Sequence, residues 1–165
     1  IDLSGAAIEL VDQENREYFL KKALEPIKAL YDFIFIDCPP SLGVLTLNGL
    51  AAADKVLVPM QCEYFALEGI TLLLQTVKKV QKSINPGLVI GGIFFTMYDS
   101  RTRLAQEVVE DVKKAFGDDV FNTIIPRNVR LSEAPSHGLP ICKYDPECAG
   151  ARSYKNLADE VIRRG

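Results

Sequence analysis

Two apolar periods alternate along this chain, a helical one near 3.6 residues and the short continuous runs of buried strands. Leu20, Ala23, Leu24, Ile27 and Leu30 recur at helical spacing, with Asp12 and Asn15 as candidate N-caps ahead of them. Phe33-Ile34-Phe35-Ile36 is an uninterrupted apolar run, the pattern of a strand covered on both faces. It stops at Asp37-Cys38-Pro39-Pro40, because paired prolines neither continue a strand nor enter a helix interior. Val44 to Ala53 predicts a short helix, and Lys55 to Pro59 a second buried strand. Ala66, Ile70, Leu73, Val77, Val80 and Ile84 form a long helical stripe, closed by Asn85-Pro86-Gly87. Leu88 to Met97 predicts a third strand, and Leu104, Val108, Val112 and Ala115 the next helix. Asp119 to Ile125 reads as a fourth strand ended by Pro126. After an irregular stretch, Tyr154, Leu157, Ala158 and Val161 mark a closing helix.

Strand and helix alternate, and the connections are too long for hairpins. The expected fold class is therefore α/β, with a mainly parallel sheet, right-handed crossovers and helices on both faces. No repeat, low-complexity segment or linker interrupts residues 1–165, which predicts one unit. Ligands of such sheets sit at the carboxyl ends of strands. Three of those ends carry distinctive chemistry: residues 37–40, Thr96 to Arg101, and Pro126 to Arg130.

Composition narrows the function classes. Apolar residues are 48% and charged residues 25% of the chain, which excludes a disordered polymer. The net charge of −3 supplies no overall basic field, so any nucleic-acid contact must come from a local cluster. No apolar run approaches a bilayer span, and residues 1–20 lack the order of a signal peptide, so a cytoplasmic location without membrane contact is expected. A first residue of Ile rather than Met points to a chain that begins in mid-protein. Cys38, Cys62, Cys142 and Cys148 fit neither a zinc knuckle nor a disulfide framework, and most are expected to be buried thiols.

Asp37 is the most pointed candidate. A carboxylate held directly after a buried strand can retain a Mg²⁺-bound water or accept a phosphoryl group, as at the Walker B strand of P-loop NTPases. The alternative is a carboxylate that only caps the next turn. Rigid prolines beside Gly43 suit a loop that rearranges around a γ-phosphate. No G-x-x-x-x-G-K-[ST] phosphate cradle is present, and Ala149-Gly150-Ala151 has no lysine partner. Arg127 and Arg130 beyond the fourth strand, with Arg101 and Arg103 beyond the third, could meet phosphate or DNA. The competing reading is surface arginines paired with Asp99, Glu107 or Glu133. His137 has no Ser or Cys at a triad spacing. Tyr64, Phe65 and Tyr98 could stack a base, although core or rim packing is the expectation.

The strings YDFIFIDCPPSLGVLTLNGLAAADKVLVPMQCEYFALEG, FTMYDSRTRLAQEVVEDV and IIPRNVRLSEAPSHGLPICKYDP closely resemble the bacterial Soj/ParA partitioning ATPases. The resemblance runs through all 165 residues. It implies a P-loop NTPase-like fold of the deviant Walker A, MinD-like type, with this chain as the C-terminal part of a single ATPase domain, incomplete at its N-terminus. It also implies ATP and Mg²⁺ as cofactors, a homodimer in the ATP state, non-specific binding to nucleoid DNA, and a ParB/Spo0J-type partner that stimulates hydrolysis. Residue by residue, Asp37 matches the Walker B aspartate that holds the Mg²⁺ shell. Cys38, Pro39, Pro40, Ser41 and Gly43 match the switch II loop. Pro126 and Asn128 match positions that contact adenine, and Arg101 and Arg130 match DNA-binding arginines. The family's phosphate loop, its signature lysine and its switch I block have no counterpart here. The chain alone is therefore expected neither to hydrolyse ATP nor to bind it tightly, and to expose an apolar sheet edge. Two rivals come from other classes. A phospho-acceptor receiver domain would use Asp37 and Thr96 but lacks its acidic pair and Lys-Pro. A nucleotide-independent module would dock DNA or a partner through the arginine rim alone.

Overall fold

The computed structural model describes residues 3–39, 41 and 43–165. Their contacts gather into two compact units, residues 1–56 with 73–89 and residues 57–72 with 90–165. The division falls inside secondary-structure elements.

The first unit is helical. It holds α1 (Leu3–Glu9), a 3₁₀ turn at Arg16–Tyr18, α2 (Phe19–Leu24), α3 (Val44–Ala52) and the greater part of α4 (Ala66–Ser83). The stripe predicted to run as one helix to Leu30 breaks after α2 and resumes as a 3₁₀ turn at Lys28–Leu30. Pro26 explains the break: it offers no N–H and restricts Glu25 before it. Asn15 precedes its turn with a left-handed φ of 54°, and its side chain makes no cap bond. Buried Asn48 on α3 joins these pieces. Its Oδ1 accepts the Leu20 N–H at 3.0 Å, and its Nδ2 donates to the carbonyls of Arg16 at 2.7 Å and Val44 at 2.9 Å. Asn85 Nδ2 closes the far end of α3 by donating to Leu50 O and Ala53 O. Leu50, Ala51, Val77, Val80 and Leu88 are buried here.

The predicted strand Phe33–Ile36 is not a strand. Its backbone enters no ladder, and Phe33, Ile34 and Phe35 are exposed. A strand exists only against a neighbour that takes its backbone hydrogen bonds, and among the described residues no segment pairs with this run.

The second unit contains nearly all of a three-stranded parallel sheet in the order β1 (Lys55–Gln61), β2 (Val89–Tyr98), β3 (Val120–Pro126). It also holds α5 (Arg103–Phe116), α6 (Val129–Glu133), α7 (Ile141–Tyr144) and α8 (Ala149–Arg164). The sheet flanked by helices is the predicted fold class. Phe121, Ile125 and Leu157 form a core cluster, with Leu57, Phe94, Leu131 and Val161 packed against it. β2 and β3 pair at Ile93↔Val120, Phe95↔Ile124 and Tyr98↔Pro126. Between the last two pairs β2 carries one residue more than β3, and Met97 absorbs it with a left-handed φ of 51°. Gly92 has φ +149°, and a Cβ there would lie 2.1 Å from Phe121 Cε2, so the close approach of ring and backbone requires glycine.

Candidate functional site

The candidate residues fall in both units. Asp37, Cys38, Pro39, Ser41 and Gly43 belong to the first, whereas Arg101, Pro126, Asn128 and Arg130 belong to the second. Pro40 lies outside the described residues.

Asp37 is exposed, at the end of an irregular segment rather than of the predicted strand. Its loop is nonetheless seated on α3. The buried hydroxyl of Thr46 bonds the carbonyls of Pro39, at 3.3 Å, and Ser41. Gly43 stands at the N-cap position of that helix. Cys38 packs its Sγ so close to Gly49 that a Cβ there would lie 2.6 Å away. Cys38 is exposed as a residue, but this contact partly covers its sulfur. The covering, and then the Asp37 charge, push its thiol pKa upward. Thr46 went unrecognised in the sequence. It carried a signal: it shares the Thr46, Gly49, Leu50, Ala53 face of the helix, where a polar side chain needs a partner.

In the second unit, a backbone hydrogen bond from Arg127 N–H to Tyr98 O at 2.9 Å joins the ends of β2 and β3. Asp99 accepts the Arg101 backbone N–H at 3.1 Å and both Nε, at 2.9 Å, and Nη2, at 2.7 Å, of its guanidinium. Those hydrogen bonds, together with the Arg101 and Arg127 charges, hold the Asp99 carboxyl well below the ordinary carboxylate range. Arg103 Nε donates to Glu107 at 2.8 Å. Asn128 caps α6, its Oδ1 accepting the Arg130 N–H at 2.9 Å. Arg130 Nη1 donates to Glu133 at 2.8 Å, and its Nε lies 3.4 Å from Asp145. Tyr144 hydroxyl donates to the same Glu133 oxygen at 3.1 Å, and His137 stacks on Tyr144. Arg130, then Tyr144, lower the Glu133 pKa. The paired arginines of the competing reading are thus present, and Asp145 and Tyr144 join them.

Other expectations need correction. Cys62 alone of the cysteines is buried, while Cys38 and Cys142 are exposed and Cys148 is half-buried. Cys148 Sγ accepts the Ala151 N–H at the start of α8, a capping position that apolar spacing cannot reveal. Tyr64 and Phe65 do not enter the core. They meet edge to face at 5.2 Å with 76% and 71% of their surface exposed. A polar cavity of about 410 Å³ lies between β3 and α8, lined by Asn122, Thr123, Asn156, Asp159, Arg163 and others, and it includes none of the candidate residues. Glu160 and Arg164 on its wall serve the edge of β3: Glu160 accepts the N–H groups of Asn122 and Thr123, and Arg164 pairs with Glu160. Among the described residues no His, Cys, Asp and Glu cluster forms a metal cage, and no helix is long and apolar enough to cross a membrane. The exposed Asp37 carboxylate fits a Mg²⁺ ion held through water rather than such a cage.

Residues 1–90 match a family profile described as an AAA domain. The chain is 71% identical over 164 residues to the chromosome-partitioning ATPase Soj of Treponema pallidum, covering 99% of this chain and 65% of that protein. It is 58% identical over 165 residues to the sporulation initiation inhibitor protein Soj of Bacillus subtilis, covering 100% and 65%. Cobyrinic acid a,c-diamide synthase from Mycobacterium smegmatis, solved with an ATP analogue and magnesium, superposes with TM-score 0.80 at 40% identity, over 99% of this chain and 59% of that one. The cell division ATPase MinD of Pyrococcus furiosus gives 0.73 at 26%, over 90% and 59%. The chain thus spans 65% of the length of the two curated relatives.

Proposed function

We propose, from the premise that the chain belongs to the Soj/ParA family of chromosome-partitioning ATPases, that it forms the Walker B and DNA-facing portion of an ATP-dependent partitioning machine. Asp37 orients the water shell of a Mg²⁺ ion beside ATP, and the loop of Cys38, Pro39, Pro40, Ser41 and Gly43 responds to the γ-phosphate. Magnesium, when bound, neutralises phosphate charge. Thr46 ties the loop carbonyls to α3, so a change at the phosphate reaches the helix directly. Pro126 and Asn128 border the adenine. Arg101 and Arg130 take phosphates of non-specific nucleoid DNA in the ATP-bound homodimer, and a ParB/Spo0J-type protein accelerates hydrolysis.

The observation that carries this reading is the Asp37–Gly43 loop fastened to α3, in a chain so close to a partitioning ATPase. In the intact protein Asp37→Ala is expected to lower ATP turnover by about 100-fold or more, the scale of losing one fixed electrostatic contact to the transferring group. Unchanged turnover overturns the reading. Residues 1–165 by themselves lack a phosphate cradle and are expected to bind ATP weakly; micromolar affinity by calorimetry contradicts that. DNA retention by the intact protein should require ATP, and ATP-independent retention would favour the nucleotide-independent module instead.

A further inference from the structure

We propose that Asp99 and Glu133 are intramolecular competitors for Arg101 and Arg130, so that a nucleic-acid phosphate is captured only by displacing a carboxylate from each arginine. The inference deepens the DNA-binding reading above and rests on it. The geometry has two halves, each an arginine held by a carboxylate. Asp99 grips the Arg101 guanidinium through Nε and Nη2, the two-pronged mode by which a guanidinium also holds phosphate. Glu133 occupies Arg130 Nη1 and is itself fixed by the Tyr144 hydroxyl, while Asp145 stands at Arg130 Nε. A carboxylate in that position offers the oxygen pattern that the phosphate would bring, so the two cannot bind one face of the guanidinium together.

Exposure makes the exchange feasible. The Arg101 side chain is 86% exposed and that of Arg130 50%, so phosphate can approach either one. Ion pairs this exposed are weak, and they temper capture without preventing it. In a chain of net charge −3 these arginines are not backed by a general basic field, so the carboxylate beside each one sets its affinity. The Arg127 charge also acts on Asp99, so removal of that carboxylate relieves a second cation beyond the strand ends. Asp99 and Glu133 are positioning residues in this scheme: they make no contact with DNA and act through the arginines.

The test uses the intact protein loaded with ATP and Mg²⁺, and a duplex of arbitrary sequence followed by fluorescence anisotropy at low salt. Asp99→Asn keeps an oxygen for the Arg101 N–H and removes only the charge. It is expected to tighten binding about three- to fivefold, the range of one exposed ion pair. Glu133→Gln, with Asp145 still beside Arg130, is expected to give a smaller gain in the same direction. Glu110→Gln on the exposed face of α5 makes the same change in net charge away from any ion pair among the described residues, and should leave affinity unchanged. If Asp99→Asn and Glu133→Gln match Glu110→Gln or weaken binding, while Arg101→Ala and Arg130→Ala lose it, the competition is overturned and the DNA reading stands. If both alanine variants keep full affinity, the DNA reading itself fails. Asp99→Asn keeps the size and the acceptor oxygen of a half-buried side chain in the loop after β2, and it decides the question even where Glu133→Gln disturbs α6.

Discussion

Gly92 and Cys62 show how single residues constrain the second unit. A methyl group at Gly92 would enter the Phe121 ring, and its φ of +149° is one that other residues rarely adopt. Gly92→Ala is therefore expected to cost about 2–5 kcal/mol, from overpacking and backbone strain together. The expected signature is a lower urea midpoint at unchanged m-value. Cys62 is buried, and burial pushes its thiol up to about 11. Since the thiolate is the reacting form, iodoacetamide at pH 8 should modify exposed Cys142 well before Cys62, as peptide mass spectrometry would show. Neither outcome could be read from the sequence. Cysteine spacing excludes metal and disulfide frameworks but does not say which thiol faces the core, and a lone glycine in a strand does not announce the ring that covers it.

Elements were more legible than their exceptions. The helical stripes of α4 and α5 and the runs of β1, β2 and β3 form within a few residues of their predicted bounds, because burial follows apolar period. The exceptions have local causes. Pro26 cuts one stripe short, and the Phe33–Ile36 run has no ladder partner, although its pattern is that of a buried strand. Pattern reports what a segment is suited to, whereas pairing depends on what lies beside it. The outer edge of β3 shows the opposite case, an edge closed by one side chain. Glu160 takes two of its N–H groups. Burial alone would raise the Glu160 pKa, but the hydrogen bonds from Asn122 and Thr123 and the Arg164 charge outweigh it and lower it below the ordinary 4.5. A carboxylate with a lowered folded pKa contributes its full stabilisation above its unfolded value and loses it as pH falls through the folded one. Stability should thus decline below about pH 4.5, and Glu160→Gln should flatten that decline in a pH series of thermal melts. Glu160→Ala, which leaves both N–H groups without their acceptor, should cost about 2–4 kcal/mol at neutral pH.

On the scale of the whole molecule, the apolar run beside Asp37 is an uncovered surface. Phe33, Ile34 and Phe35 are exposed together, and Phe35 at 73% is almost bare. Residues 1–165 in isolation should self-associate at micromolar concentration, and Phe33→Glu with Phe35→Glu should return a monomer in light scattering. A monomer before substitution would show that this surface needs no cover. The candidate site was legible in its chemistry and less so in its arrangement. Asp37 and the rim arginines stand out because charged residues directly after apolar runs are conspicuous. Thr46, Asp145 and Tyr144 are not conspicuous, since Thr46 and Tyr144 act through hydrogen bonds, and Asp145 through an ion pair, to residues five or more positions away.

The bond from the Arg127 amide to the Tyr98 carbonyl has a spectroscopic corollary. That proton is shielded only while the ends of β2 and β3 stay together, so its exchange with deuterium times their parting. A single amide resonance can then report, in solution, whether these two strand ends open together or stay closed.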